Sequence, residues 1–158
     1  MDQTTIIIIV SIFVGCFLLM IPLSLLFKKK KGKADAFKQE ALQTGAVLNF
    51  YGTPIKINGS APTKGQDYIV GGDLEKVIRL YPGTHTFTAK FTITDARLGG
   101  TKNLSTKKIE FELSLEAGIE YNVGLYDSKG EEDKTVFMQE MRSEEFIGRT
   151  KYLICEKI

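Results

Sequence analysis

Two different hydrophobic patterns divide this chain. From Thr5 to Phe27, 23 consecutive residues carry no charge. As a helix this run extends about 34 Å at about 1.5 Å per residue, enough to cross a hydrocarbon core of about 30 Å with some tilt. The β-branched stretch Ile6 to Val10 suits a strand in water, but a lone strand in lipid leaves its backbone groups unpaired, so a single-pass helix is predicted. After the lysines that follow, residues 34–44 (ADAFKQEALQT) are helix formers, and a short helix is expected to end at Gly45.

Beyond Gly45 the period changes to two. In Thr84 to Thr94, His85, Phe87, Ala89, Phe91 and Ile93 alternate with Thr and Lys, which predicts one strand with a core face and a threonine face. In Lys108 to Glu116, Ile109, Phe111, Leu113 and Leu115 repeat the device. Glu116-Ala117-Gly118 reads as a turn into Tyr121, Val123 and Leu125, so these two segments are expected to pair as an antiparallel hairpin. Further strands are expected at 46–51, 54–58, 68–70, 76–80, 134–139 and 151–156. Asn58-Gly59, Gly71-Gly72, Pro82-Gly83, Gly99-Gly100 and Lys129-Gly130 separate them as turns. The segment from Gln139 to Arg149 reads as a loop or one helical turn. Eight or nine short strands with little helix predict an all-β domain, an antiparallel two-layer β-sandwich preceded by a single transmembrane α-helix. The expected organisation is a tail at 1–4, the membrane helix at 5–27, a basic linker with a short helix at 28–45, and the β-sandwich at 46–158.

Charge refines this division. The chain of 158 residues has a net charge of +2, but its first 33 residues hold five lysines and one aspartate, so the remainder is slightly acidic. A nucleic-acid-binding role is therefore not expected. Lys28, Lys29, Lys30, Lys31 and Lys33 flank one end of the apolar run, and the positive-inside bias places the β domain in the cytoplasm. The same lysines are expected to meet the bilayer surface and its anionic lipid head groups, at about 1 kcal/mol each. They stand where a signal peptide would carry its small-residue cleavage region, and the leader MDQTT has no positive charge, so retention of the segment is expected. Cys16 falls inside the apolar run and Cys155 near the C-terminus, which does not suggest a disulfide framework.

The entry Leu80-Tyr81-Pro82-Gly83-Thr84-His85, the hairpin Ile55-Lys56-Ile57-Asn58-Gly59 and the turn Leu115-Glu116-Ala117-Gly118-Ile119-Glu120-Tyr121 together resemble PEGA-like domains and related small β-sandwich domains of the bacterial envelope. The likeness spans Pro54 to Tyr126, and the excursion from Thr94 to Thr106 departs from it. The resemblance implies an accessory or binding module attached to a membrane or envelope protein, and the extracytoplasmic side as the alternative location.

Candidate chemistry is sparse. The only histidine, His85, shares the parity of Phe87 and follows the Pro82-Gly83 turn, so a structural role at the end of the core is expected for these three residues. Cys155 reads as a buried thiol, and Glu131-Glu132-Asp133 as a solvated run lacking the spaced oxygen ligands of a calcium loop. Walker, dinucleotide, HExxH and CxxC motifs are absent from the sequence. The expectation is a binding or scaffold module without cofactor or metal, not an enzyme. Its protein partners would meet strand edges or loops, including the threonine face of 84–94 if that strand lies at an edge.

Overall fold

The computed structural model describes residues 31–97, 100–142, 146 and 149–158. The expected membrane segment, with Cys16 and Lys28 to Lys30, lies outside the described residues. Among the described residues no helix is long and apolar enough to cross a membrane. Residues 31–44 form one helix, α1. Eleven strands follow: β1 (Ala46–Phe50), β2 (Thr53–Ile57), β3 (Tyr68–Val70), β4 (Lys76–Leu80), β5 (Gly83–Lys90), β6 (Thr92–Arg97), β7 (Gly100–Ser105), β8 (Ile109–Leu115), β9 (Glu120–Tyr126), β10 (Thr135–Met141) and β11 (Lys151–Lys157).

The strands form a six-stranded sheet ordered β10-β11-β9-β1-β4-β3, a three-stranded sheet ordered β2-β5-β8 and the two-stranded hairpin β6-β7. Pairing is antiparallel except between β1 and β9, which run parallel. Ala46, Leu48 and Phe50 from β1, Tyr121 and Val123 from β9, and Leu153 and Cys155 from β11 share one core with Phe87 and Ala89 of β5 and with Phe111, Leu113 and Leu115 of β8. Phenylalanine rings join the two sheets. Phe50 lies 6.2 Å from Phe87 and 5.1 Å from Phe91, Phe87 stacks 5.4 Å from Phe111, and Phe111 reaches Phe137 of β10 at 5.6 Å. These separations suit offset stacking: Phe50–Phe87 and Phe87–Phe111 are nearly parallel and the other pairs are tilted.

Several elements differ from the sequence reading. Glu116 to Gly118 does not close a hairpin, because β8 pairs with β5 while β9 lies between β1 and β11. The turn instead carries the chain from one sheet to the other. Gly118 N–H donates to Gly45 O at 2.7 Å, and Glu116 N–H donates to the buried Tyr121 hydroxyl at 2.9 Å, so the groups at this turn are anchored across the sheet junction. The stretch from Thr84 to Thr94 is two strands, broken at Phe91. Phe91 N–H bonds the Thr106 hydroxyl and Thr106 N–H bonds Phe91 O, which ties off the core ladder where the β6-β7 hairpin departs. The threonine face is not at an edge, since β5 is flanked by β2 and β8. What reads in sequence as an irregular excursion from Thr94 to Thr106 is mostly this hairpin, with Thr92 opposite Ser105 and Ile93 opposite Leu104. From 139 to 149, β10 continues to Met141, and Phe146 in the following connection is buried.

The six-stranded sheet has a second cover. Val47 of β1 and Val77 of β4 face away from the aromatic core and are fully buried with Ala34 and Ala41 of α1, with Phe37, Leu42 and Ile69 packed against them. The spacing 34, 37, 38, 41, 42 is one face of an α-helix, so α1 lies on the sheet. Gly45 ends it: a Cβ there would stand 2.2 Å from the Leu80 carbonyl oxygen, so only glycine lets the helix turn this closely into β1.

Phe87→Ala is expected to lower the stability of the fold by about 3–5 kcal/mol, since a fully buried ring at the centre of the aromatic chain is lost, while Leu74→Ala at an exposed loop tip changes it by less than about 0.5 kcal/mol. Urea unfolding of the two variants checks this contrast.

Candidate functional site

Two polar assemblies stand out. The first holds α1 in place. Asn49 faces outward from β1 yet is only 3% exposed. Its amide Nδ2 donates to Glu120 Oε1 at 2.6 Å and to Asn122 Oδ1 at 3.1 Å, both on the parallel neighbour β9. Lys38 of α1 reaches the same Glu120 oxygen at 2.7 Å. Burial acts to raise the Glu120 carboxyl, but the hydrogen bonds from Lys38 and Asn49 and the Lys38 charge outweigh it, so Glu120 titrates below its ordinary value of 4.5. Arg79 of β4 adds a second tie, with its guanidinium 5.4 Å from the Phe37 ring centroid.

The second assembly surrounds His85, at the end of the sheets where β1 and β5 begin. Pro82 and Gly83 form an exposed bend into β5, and Gly83 has φ of +128°, a conformation that a side chain disfavours. His85 is nearly buried. Its Nε2–H donates to Tyr81 O at 2.7 Å, and its Nδ1 accepts from Asn58 Nδ2 at 2.9 Å. Asn58 Oδ1 in turn accepts Thr86 N–H at 3.1 Å, which fixes the amide orientation and with it the imidazole tautomer. Asn58 and Gly59, with φ of +51° and +79°, are the two central residues of the turn after β2. Ile57 and Ser60 close that turn with reciprocal backbone bonds.

An open cleft of about 490 Å³ lies beside His85, between the end of α1 and the 58–67 loop. Thr44, Gln66, Asp67, Arg79 and Tyr81 supply its polar and aromatic wall. The Asp67 carboxylate is partly committed, since it accepts Thr63 N–H at 2.7 Å and holds the loop. Arg79 also approaches Glu40, at 3.5 Å. The volume suits a small molecule or a few residues of peptide. Hydrogen-bond donors and acceptors converge there, and both imidazole nitrogens are engaged, by Asn58 Nδ2 and Tyr81 O.

The remaining candidates are dispersed. Lys31 and Lys33 are exposed on the first turn of the described part of α1. Cys155 is buried in the aromatic core, and burial, with a smaller effect from Glu156, pushes its thiol up to about 12, which leaves it protonated and unreactive at neutral pH. Glu131 pairs with Lys134 at 2.8 Å in the β9–β10 connection. Among the described residues no three metal-ligating side chains cluster. Sequence reading missed the Asn49, Glu120 and Lys38 assembly. The available signal was an asparagine inside the apolar segment AVLNF, where a polar side chain requires a buried partner. Comparison with known protein families, curated proteins and solved structures finds no match to this chain.

Because Glu120 is held below its unfolded value, the stability it contributes is complete above that value and is lost as pH falls through the folded one. Glu120→Gln is therefore expected to be less stable than the parent at neutral pH and to lose less further stability on acidification. Urea midpoints measured at neutral pH and on the acid side of 4.5 check both signs.

Proposed function

We propose that this chain is a single-pass membrane protein whose β domain, a two-layer sandwich of the PEGA-like kind, binds or scaffolds a partner on the cytoplasmic side without catalysis. The observation that carries this reading is the docking of α1. The chain leaves the uncharged run at Phe27, and within a few residues, from Lys31 on, is a helix clamped to the six-stranded sheet by Ala34, Ala41 and the Lys38–Glu120 pair. A flexible linker is thereby replaced by a strut. An anchor so close to a packed helix confines the domain to the membrane surface and raises its effective concentration toward membrane components.

The binding part of the proposal rests on the cleft beside His85. It combines a mixed polar and apolar wall with a histidine whose hydrogen bonds fix the surrounding turns. A small ligand or a short peptide segment is the class of partner it fits. The five lysines that follow the apolar run, Lys31 and Lys33 on α1 among them, support the cytoplasmic side.

The test places a single cysteine at exposed Ser128 in a Cys16→Ala, Cys155→Ala background and treats intact cells with a membrane-impermeant maleimide. The protein is expected to stay with membranes after alkaline carbonate and to be labelled only after lysis. Labelling of intact cells would move the domain to the extracytoplasmic side, and release by carbonate would overturn the membrane anchor itself.

A further inference from the structure

The two ends of the β domain differ in charge, and the chain enters α1 from the basic one. α1 ends at Gly45, where β1 begins, and its last residues Ala41 and Thr44 border the same cleft as Leu80, Tyr81 and His85. Moving back toward Ala34, α1 crosses Val47 and Val77 toward the opposite end, the end at which β1 and β9 finish and β4 begins. The other sheet has the same polarity. β5 starts at Gly83 beside the cleft and finishes at Lys90, opposite Thr53, and the next residue, Phe91, packs on Phe50 and against Gly52. β8 begins at this end too, since Ile109 pairs with Ala89.

That end gathers basic side chains from distant parts of the sequence. Lys31 and Lys33 come from α1, Lys90 from the end of β5, and Lys107 and Lys108 from the entry to β8, and all five are exposed. Several acids there are already engaged: Asp127 pairs with Lys151, Glu140 with Arg142, and Glu75 is buried against Gly71 with its carboxylate on Asp73 N–H. Asp35 and Asp73 remain exposed. With Arg142 engaged by Glu140, the β10–β11 connection contributes Arg149 against Glu144 and Glu145, one net negative charge set against the five lysines. Glu131, Glu132 and Asp133 precede β10 near the other end, where Thr135 pairs with Glu156 and Glu156 with Asn122.

We infer that the β domain stands on the membrane with its strands roughly along the bilayer normal. In this orientation Lys90, Lys107 and Lys108 join Lys31 and Lys33 in a single surface for anionic phospholipid head groups, and the His85 cleft opens on the side away from the lipid. This inference rests on the membrane-anchored reading above. Its physical basis is the fixed direction of α1 relative to the strands, together with the attraction of each lysine to an anionic leaflet, which changes the surface-bound population by roughly fivefold per charge. The lysine side chains have long flexible stems, so they reach head groups from slightly different heights. The orientation also leaves the cleft open to a partner arriving from solvent.

The experiment uses the full chain with Cys16→Ala, reconstituted in vesicles of phosphatidylcholine and phosphatidylserine that contain a lipid with a nitroxide on its head group. A fluorophore is attached at Ser105→Cys, by the root of the β6-β7 hairpin, or at Ser60→Cys, by the cleft; both positions are exposed. Quenching is expected to be severalfold stronger at 105 than at 60. Replacing Lys90, Lys107 and Lys108 together by Gln, or omitting phosphatidylserine, is expected to reduce quenching at 105 toward the value at 60. Equal quenching at both positions in the parent protein, or stronger quenching at 60, would overturn the orientation. Indifference of position 105 to both the triple substitution and the lipid charge would overturn the head-group surface. Release from the vesicles by alkaline carbonate would instead overturn the anchor, and the inference with it, so the two failures are distinguishable.

Discussion

β1 is buried on both faces, and the rest of the architecture answers that constraint. All five of its residues are inaccessible, with Ala46, Leu48 and Phe50 turned into the aromatic core and Val47 and Asn49 turned the other way. A strand of this kind occupies the middle of a sheet that is covered on two sides. The three-stranded sheet supplies one cover. α1 supplies the other, and it does so through small residues, since Ala34 and Ala41 let the helix approach the valines closely.

The buried Asn49 explains why the second cover is specific. An apolar outer face would accept a helix in several registers, whereas an asparagine excluded from water loses about 1–3 kcal/mol if its polar group is left without partners. Its Nδ2 finds Glu120 and Asn122, while its Oδ1 has no partner among the described residues, and Glu120 then requires a cation, which Lys38 provides from α1. One chain of hydrogen bonds thus links β1, β9 and the helix that leads toward the apolar N-terminal run. The same parallel pairing of β1 and β9 sets the sheet order, because it commits β9 to the large sheet and sends the Glu116 to Gly118 turn across the molecule.

Local features of the β domain were legible where the side-chain period was clean. The alternation in β5 and β8 predicts their inward residues, and Tyr68–Val70 and Lys76–Leu80 are strands over the expected residues. Pairing partners were not legible. A turn such as Glu116-Ala117-Gly118 has the same local chemistry whether the next strand folds back or crosses to another sheet, and the decision lies in Gly45 and Tyr121, far from the turn's own sequence or on its far side. The break at Phe91 was hidden for a related reason: parity continues through it, and only the Thr106 hydroxyl reveals that the ladder stops. The cleft escaped sequence reading because its wall is assembled from the end of α1, the 58–67 loop and the entry to β5.

The central claim is that α1 belongs to the folded domain and does not act as a loose connector. Amide hydrogen exchange of the full chain tests it directly. Residues 35–41 should exchange with protection comparable to that of β1 and β9, because opening α1 exposes Val47, Val77 and the Asn49–Glu120 pair together. Fast exchange across 35–41, at rates typical of an isolated short helix while β1 stays protected, would contradict the account.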